Sequence, residues 1–276
     1  MSEASLGAAT PVTTTNRRRT RDAQSDGWAK LWENNESGLW DRGRPSPALI
    51  TFLDQHAFRE TLLRDHGKRV LNAFVPVRNF HSPTIDTNLS PLKGCGKGHD
   101  VALLARHGYR VWGLEVSQGA VDAANENVKA QLKDSNSHDA HVILGDFFKK
   151  DYETQFGPDF RGFDLIYDYT FLCALLPEMR KGWAERMESL LSPGGFLVCL
   201  EFPMWKPLKA QGPPWGLKGV HWNLLADGAD GLFDESGNLI GTGQEKGVFE
   251  RVVYWKPPES FEQGRGEDMI SVWKLK

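Results

Sequence analysis

The chain has 276 residues, of which 40% are hydrophobic and 25% charged, a balance typical of soluble globular proteins. This length suits one α/β domain with extensions. The net charge of −3 argues against nucleic-acid-binding proteins, which usually carry a basic face. No apolar stretch has the length of a membrane span or a signal peptide, so we expect a cytoplasmic protein. The few scattered cysteines and the absence of CxxC and HExxH predict neither a disulfide framework nor a metal site.

The N-terminal part changes character at about residue 23. Residues 1–22 are rich in Ser, Thr, Ala and Arg, which predicts a disordered tail, and we expect a single domain over 23–276. Trp28, Leu31 and Trp32 share one face of a predicted helix because they are spaced i, i+3, i+4. The next predicted elements are a loop rich in Gly and Pro and then two helices, at 37–47, 47–56 and 58–65.

Three glycines, Gly94, Gly96 and Gly98, stand at alternate positions before an apolar run with helical spacing. Glycine lacks a Cβ, so such a loop lets the backbone approach a ligand closely. The helix that follows presents free N–H groups and the positive end of its dipole. After this helix, a predicted strand ends in Glu115. A glycine loop, a helix and a strand with a terminal acid predict a nucleoside site, with the carboxylate on the ribose hydroxyls.

Helices and strands alternate beyond Glu115. They are predicted as a helix at 117–133, strands at 141–148 and 163–169, a helix carrying Met179 to Leu190, a turn at 192–195 and a strand at 196–200. This alternation implies a parallel sheet with right-handed crossovers. Residues 203–247 show no clear period and are interpreted as a lid that covers the substrate. Two strands without a helix between them, at 248–255 and 269–275, predict an antiparallel hairpin at the sheet edge.

Six motifs occur in order from about Trp28 to the C-terminal half. They are Trp-(x3)-Trp at 28–32, Leu-Trp-Asp-Arg-Gly-Arg-Pro-x-Pro at 39–47, Gly-Cys-Gly-Lys-Gly-His-Asp-Val at 94–101, Gly-Leu-Glu-Val-Ser at 113–117, Gly-Asp-Phe-Phe at 145–148 and Tyr-Asp-Tyr-Thr-Phe-Leu-Cys-Ala-Leu at 167–175. With these motifs the chain resembles the thiopurine S-methyltransferase-like family of S-adenosylmethionine-dependent enzymes. It is similar to the branch of plant thiol/halide and fungal thiol methyltransferases, and most similar to fungal enzymes that bis-methylate reduced gliotoxin.

The resemblance implies a Rossmann-like class I methyltransferase fold, α/β, with a mostly parallel seven-stranded sheet. It implies S-adenosylmethionine as the cofactor, S-adenosylhomocysteine as its product, no metal, a small-molecule thiol as the partner and a monomeric enzyme. The implied cofactor-binding residues are Trp28, Trp32 and Trp40 around the cofactor, Gly94 at its amino-acid or ribose end, Glu115 on the ribose, Asp146 and Phe147 beside the adenine, and Tyr169 next to the methyl-donating region.

One stretch departs from the family pattern, in which the first strand runs through a Val-Pro-like pair straight into the glycine loop. Here a strand is predicted to start at 68–71, and the polar segment 72–93 intervenes before the loop. Either 73–77 extends the strand before a looped excursion, or 72–93 are extra residues from a retained intron. We favour the second interpretation because excision restores a continuous strand and loop.

Methyl transfer from a sulfonium needs little acid–base help when the acceptor is a thiolate, so the protein's task is positioning and exclusion of water. Asp168 and Tyr169 are the candidate catalytic residues. Asp168 could act as a base or cap a turn, and Tyr169 could line the active site or pack in the core. Cys173 is interpreted as a buried apolar residue. Arg180 is assigned to a solvated helix face, and His221 is a candidate substrate contact.

These observations predict a thiol S-methyltransferase acting on a small molecule, such as a dithiol metabolite like reduced gliotoxin. Halide, thiocyanate or hydrosulfide is the alternative acceptor. A nicotinamide-dependent oxidoreductase also uses spaced glycines and a strand-end acid. A non-catalytic binding protein is a third hypothesis, prompted by the extra residues before the glycine loop.

Overall fold

The computed structural model describes residues 42–62, 69–76, 97–135, 139–264 and 266–276. Predictions that fall outside these residues are the tail at 1–22, the helix carrying Trp28 and Trp32, Trp40, and the glycines Gly94 and Gly96. No helix in the described ranges is long and apolar enough to cross a membrane.

A seven-stranded sheet has the order β3-β2-β1-β4-β5-β7-β6. Strands β1 to β5 are parallel, and β7 runs antiparallel between β5 and the edge strand β6. This arrangement confirms the predicted parallel sheet and its antiparallel C-terminal pair. The strands are β1 (Asn72–Pro76), β2 (Arg110–Glu115), β3 (Ala140–Leu144), β4 (Phe163–Tyr169), β5 (Leu191–Glu201), β6 (Phe249–Trp255) and β7 (Met269–Leu275).

The helices that follow the strands cover the sheet. Those in the described ranges are α1 (Pro47–Gln55), α2 (Arg59–Leu62), α3 (His99–Arg106), α4 (Gln118–Leu132), α5 (Arg180–Leu190) and α6 (Val220–Leu225). Ser46 caps α1 by accepting a hydrogen bond from the Leu49 amide, and a proline stands in the first turn of this helix, where its missing N–H costs nothing. Helix α6 is the regular part of the predicted lid, residues 203–247, which is called the cover below.

The first strand lies later in the chain than its pattern indicated. Arg69 and Val70 are exposed, whereas residues 72–76 form β1 between β2 and β4, with Phe74 opposite both Trp112 and Ile166. The start of the strand is fixed because the Asn72 amide donates to the Asp164 carboxylate. Of the two interpretations of this stretch, the one in which 73–77 extends the strand agrees with β1 at Asn72–Pro76, while 77–93 lies outside the described residues.

Two further boundaries differ from their predictions for local reasons. Strand β3 ends at Leu144 rather than at residue 148, because the Asp146 carboxylate accepts the Phe148 amide and turns the chain. Strand β5 starts at Leu191, and the predicted turn at 192–195 is a bulge within it. At this bulge a Cβ on Gly195 would lie 2.5 Å from the Phe163 carbonyl oxygen.

Aromatic rings from β1, β2 and the N-terminal end of β4 pack together on one side of the sheet. Phe163 is fully buried, and its ring centre lies 4.8 Å from that of Phe74 and 5.8 Å from that of Trp112. Phe156 and Phe160, at 5.0 Å and 4.7 Å from Phe163, complete the cluster. Phe74 of β1 is part of this aromatic cluster, so the sheet depends on Asn72–Pro76 for its packing.

The position of β1 predicts the effect of removing residues 77–93, which joins Pro76 directly to Gly94. This variant keeps all the described strands and brings the Val75-Pro76 pair directly before the glycine loop. We expect far-UV circular dichroism equal to that of the full chain, and S-adenosylmethionine binding at least as tight by calorimetry. Removal of 72–93 serves as the control and should unfold the protein, because it deletes β1. If the variant lacking 77–93 fails to fold, residues 77–93 are part of the folded domain.

Candidate active site

The parallel strands end at one edge of the sheet, where ligands bind in open α/β folds. Pro76 at the end of β1 pairs with Leu114, so Glu115 lies one residue beyond β1 along the sheet. Glu115 also pairs with Leu144, and its carbonyl oxygen accepts the Gly145 amide at 2.8 Å. The sheet therefore places the predicted ribose acid next to the segment that carries Asp146 and Phe147.

The side chain of Glu115 is held by its own backbone neighbours. It is 1% exposed, and its Oε1 atom accepts the amides of Val116 at 2.8 Å and Ser117 at 3.3 Å. Hydrogen bonds from backbone N–H groups are short and strong when the acceptor is a carboxylate. The carboxylate is thus oriented at the strand end before any ligand arrives.

The described end of the glycine loop packs tightly against α4. Gly98 has a φ of +69°, and a Cβ there would lie 2.9 Å from the Cγ2 atom of Val128, so glycine is required. The Lys97 carbonyl oxygen accepts a hydrogen bond from the Asn127 side chain at 2.7 Å. The Nδ1 atom of the buried His99 accepts a hydrogen bond from the Gln131 side-chain amide at 2.8 Å. Gly94, the predicted cofactor contact, lies outside the described residues, as do Trp28, Trp32 and Trp40.

Asp146 and Phe147 follow β3 on the turn described above. The Asp146 carboxylate accepts the Phe148 amide at 3.0 Å, which fixes the turn after the strand. Phe147 is buried, with its ring centre 4.9 Å from Phe171. The Phe147 carbonyl oxygen accepts a hydrogen bond from Arg186 at 2.9 Å. The adenine roles of Asp146 and Phe147 stay predictions.

Tyr169, the last residue of β4, is buried in an aromatic environment. Its ring lies parallel to that of Phe261 at 6.2 Å and edge-on to Phe202 at 6.1 Å. Its hydroxyl has no hydrogen-bond partner among the described residues. Thr170 follows with a φ of +66°, which is strained for a β-branched residue. Strain and an unsatisfied hydroxyl at the same strand end are typical of functional positions.

Charged side chains from three other segments interact electrostatically with the Tyr169 hydroxyl. They are Arg42, Asp100 and Asp268. The Arg42 guanidinium lies 4.8 Å from the Phe261 ring centre and donates to Gln263. Burial raises the pKa of Tyr169 well above its usual value, so the hydroxyl stays neutral. Burial also raises the pKa of Asp268 to about 6. The charge near Tyr169 therefore depends on pH in the mildly acidic range.

Asp168 points to the opposite face of β4 from Tyr169, since side chains alternate along a strand. Its Oδ2 atom accepts the Trp183 indole N–H at 2.8 Å, and its Oδ1 atom accepts the Leu172 amide at 3.3 Å. These contacts give Asp168 a role in fixing α5 and the turn after β4. The proposed base function of Asp168 stays a prediction, and the contacts support the cap alternative.

The sequence interpretation of Arg180 is wrong, because this residue is fully buried rather than on a solvated helix face. Its Nη1 atom donates to the Gly231 carbonyl at 2.7 Å and its Nη2 atom to the Gly216 carbonyl at 3.3 Å. Both acceptors belong to the cover, which the sequence pattern could not place against α5. Cys173 is fully buried, as predicted, and its carbonyl oxygen accepts the Trp215 amide at 2.6 Å. Arg180 and Cys173 thus fasten the cover to the edge of the sheet.

Sequence reasoning also missed Asp100, in the first turn of α3. Its Oδ1 atom accepts the Ser46 amide at 2.8 Å, which joins the segment before α1 to the helix after the glycine loop. Burial raises the pKa of Asp100 to about 6, and the Ser46 hydrogen bond opposes this shift. The position of Asp100 directly after the glycine loop could have indicated a functional residue. Its partner Ser46 is distant in sequence, so only the fold reveals this contact.

Comparison with known families matches residues 65–226 to the model described as thiopurine S-methyltransferase. Probable thiol methyltransferase 2 of Arabidopsis thaliana is 30% identical over 246 residues, 88% of this chain and 90% of that protein. Thiocyanate methyltransferase 1 of the same plant is 32% identical, over 71% of this chain and 68% of that protein. The thiopurine S-methyltransferase of Pseudomonas fluorescens is 30% identical, over 54% of this chain and 73% of its own length.

Solved structures support the fold. A magnesium protoporphyrin IX methyltransferase from Synechocystis, crystallised with bound SAM, aligns with a TM-score of 0.51 and 13% identity. The alignment covers 97% of this chain and all of that one. The CcbJ methyltransferase of Streptomyces caelestis aligns with a TM-score of 0.50 and 16% identity, over 91% of this chain and 97% of that one. The predicted class I methyltransferase fold is thereby confirmed.

The buried Asp100 predicts a pH dependence of stability. Its folded pKa of about 6 lies above the ordinary aspartate value of 3.8, so the protonated acid favours folding and its contribution is lost as the pH rises through this window. Asp100→Asn keeps an oxygen for the Ser46 amide but stays neutral. We expect the unfolding free energy of the variant, relative to the parent, to gain roughly 2–3 kcal/mol between pH 4 and pH 7 in urea titrations.

The exposed Asp122→Asn on α4 is the matched control and should leave the parent's pH curve unchanged. Parallel curves for Asp100→Asn and the parent would show that Asp100 is ionised in the folded protein throughout this range.

Proposed function

Because the chain belongs to the thiopurine S-methyltransferase family, we propose that it transfers a methyl group from S-adenosylmethionine to the sulfur of a small dithiol metabolite, of which reduced gliotoxin is the type. The predicted enzyme class, an S-adenosylmethionine-dependent thiol methyltransferase, is confirmed by the family. The observation that carries the cofactor assignment is the oriented Glu115 carboxylate at the end of β2, together with the tight packing of the end of the glycine loop on α4.

The residues at the sheet edge fit this cofactor. A carboxylate at the end of β2 suits the two ribose hydroxyls, because it can accept a hydrogen bond from each. The N-terminus of α3 directly follows Gly98 and presents backbone N–H groups toward the same edge. The Gly145 amide donates to the Glu115 carbonyl oxygen, which places Asp146 and Phe147 next to the end of β2. This position supports contacts of Asp146 and Phe147 with the adenine base.

When bound, S-adenosylmethionine supplies a methyl group on a positively charged sulfur. Aromatic faces attract such a cation by about 0.5–2 kcal/mol each, and Tyr169 with Phe261 offers two parallel rings beside the strand end. The burial of Tyr169 and its neighbours excludes water from this position. The neutral Tyr169 hydroxyl, unpaired among the described residues, is available to donate to the acceptor.

The two guanidinium groups near Phe261 attract an anionic acceptor, and the acids Asp100 and Asp268 oppose this attraction once they ionise. The guanidinium groups of Arg42 and Arg44 lie 4.8 Å and 5.6 Å from the Phe261 ring centre. A nearby cation lowers the pKa of a thiol and stabilises the thiolate, which is the nucleophile. These contacts support a thiolate acceptor and equally support thiocyanate, on which one relative is named to act.

The remaining alternatives have less support. The family and the antiparallel C-terminal strands favour a methyltransferase over a nicotinamide-dependent oxidoreductase. The binding-protein hypothesis was prompted by the extra residues before the glycine loop, and membership of a family of methyltransferases favours an enzyme instead. The cytoplasmic location and the monomeric state stay predictions.

The acceptor is tested directly with the full chain and the variant lacking 77–93. We expect mass spectrometry to detect the bis-methylated product of reduced gliotoxin, with a kcat/KM at least tenfold higher than for thiocyanate. A higher kcat/KM for thiocyanate would instead identify a halide or thiocyanate methyltransferase. Absence of methyl transfer to any thiol, by either form, would contradict the proposed function.

Glu115→Gln tests the nucleoside assignment. The amide has the same shape but lacks the charge, and hydrogen bonds to charged groups contribute about 1.5–3 kcal/mol. We therefore expect S-adenosylmethionine affinity, measured by calorimetry, to fall roughly 10- to 100-fold. Glu126→Gln on the exposed face of α4 is the control and should bind as the parent does. Equal affinities of Glu115→Gln and the parent would show that this carboxylate does not bind the ribose.

A further inference from the structure

An acid with an unused hydrogen-bond acceptor lies in the cluster around Tyr169. Asp268 directly precedes β7 and is 1% exposed. Its Oδ2 atom accepts a hydrogen bond from the Ser260 hydroxyl, whereas its Oδ1 atom has no partner among the residues that the structure describes. The Tyr169 hydroxyl, likewise buried, also lacks a partner within that part of the chain. Buried polar atoms without partners are rare, so two of them in one cluster indicate that a bound molecule completes the set.

The register of the sheet places Asp268 on the same face as Tyr169. Leu200 of β5 pairs with Tyr169 of β4 on one side and with Ile270 of β7 on the other. Paired residues point to the same face of a sheet, and side chains alternate along a strand. Asp268 stands two residues before Ile270, and β7 is antiparallel to β5. Its side chain therefore lies on the Tyr169 face, just beyond the carboxyl ends of β4 and β5.

The loop before β7, residues 260–268, packs against Tyr169 through one ring. Phe261 lies parallel to Tyr169, with the ring centres 6.2 Å apart, and its carbonyl oxygen accepts the Gly264 amide at 2.8 Å. A Cβ on Gly264 would collide with the Asp268 carboxylate, so glycine lets the loop close onto this acid. The loop thus holds the aromatic ring and the carboxylate together at the end of β4.

The Asp268 carboxylate is ionised at neutral pH. Burial raises its pKa to about 6, the Ser260 hydrogen bond and Arg42 oppose this shift, and the exposed Glu267 adds to it. Above this pH the Oδ1 atom accepts hydrogen bonds strongly, because a charged acceptor binds a donor more tightly than a neutral one. The Tyr169 hydroxyl stays neutral and can donate. A bound molecule therefore meets one donor and one charged acceptor on the same face of the sheet.

We propose that Asp268 determines which methyl acceptor is used, by accepting at Oδ1 a hydrogen bond from a hydroxyl or amide N–H of that acceptor. This inference rests on the proposed methyltransferase function, in which the acceptor lies beside Tyr169. A thiol that carries such a donor pairs the buried oxygen, whereas an analogue without the donor leaves it unpaired and is rejected. A bare anion such as thiocyanate has no hydrogen to donate and is repelled by the ionised acid.

A purely structural role for Asp268 is the alternative, because its hydrogen bond with Ser260 also fixes the loop that carries Phe261. The two roles differ in one measurable respect. Dithiothreitol and 1,4-butanedithiol have the same chain length and the same thiols, and only dithiothreitol has hydroxyl groups. A disturbed loop lowers the activity with both dithiols together, whereas loss of a hydrogen bond to a hydroxyl lowers the activity with dithiothreitol alone.

The test measures kcat/KM for both dithiols at about pH 8, where Asp268 is ionised. We expect Asp268→Leu, which has a similar shape but no acceptor, to lower the ratio of dithiothreitol to 1,4-butanedithiol activity about 10- to 100-fold relative to the parent. Asp268→Asn keeps an oxygen acceptor without the charge and should lower this ratio about three- to tenfold. The exposed control Glu267→Gln removes a neighbouring charge and should keep the ratio within about twofold of the parent's.

An unchanged ratio in Asp268→Leu, with both activities lowered together, would overturn this inference and leave the methyltransferase proposal intact. A fall in S-adenosylmethionine affinity by calorimetry, without a change in the ratio, would assign Asp268 to the cofactor and overturn it as well. If Asp268→Leu fails to fold, the ratio measured for Asp268→Asn decides by the same criterion. A parent chain that methylates neither dithiol, with or without residues 77–93, would overturn the proposed function together with this inference.

Discussion

Two backbone amides fix the carboxylate of Glu115 at the end of β2, and the rest of the candidate site is arranged around this acid. The sheet sets its neighbours by register, with β1 on one side and the turn after β3 on the other. Gly98 lets the end of the glycine loop pack onto α4 at a distance that no side chain allows. A preorganised acceptor of this kind binds without first losing side-chain entropy, which favours tight binding of a small ligand.

The end of β4 divides the edge of the sheet into two environments. Tyr169 faces aromatic rings and Arg42, whereas Asp168 faces the indole of Trp183 and the cover side. The strained Thr170 directly follows the last residue of β4. Because neighbouring side chains point to opposite faces, one strand end can serve a cation-binding aromatic wall and a buried polar network at the same time. Methyl transfer to sulfur has use for both, since its donor is a cation and its acceptor must be an anion.

Three buried acids around the site share a raised pKa, namely Asp100, Glu201 and Asp268. In each case burial disfavours the charged form, so folding is more favourable when the acid is protonated. Two of them also join segments distant in sequence, Asp100 through the Ser46 amide and Glu201 through the Ser271 hydroxyl. Buried ionisable groups cost stability at neutral pH, and their concentration at one edge of the sheet agrees with a functional region rather than with an optimised core.

The order of strands and helices, the acid at the end of β2 and the antiparallel C-terminal pair could be read from the sequence, because apolar periodicity and glycine spacing are local properties. The sequence left open whether 73–77 extends the first strand, and the tertiary structure decided it, because the neighbours β2 and β4 determine which residues pair. It alone buried Arg180 and brought His221 to Glu201, since the cover has no period that reports its packing. Partners from distant segments are set by packing, which no local pattern encodes.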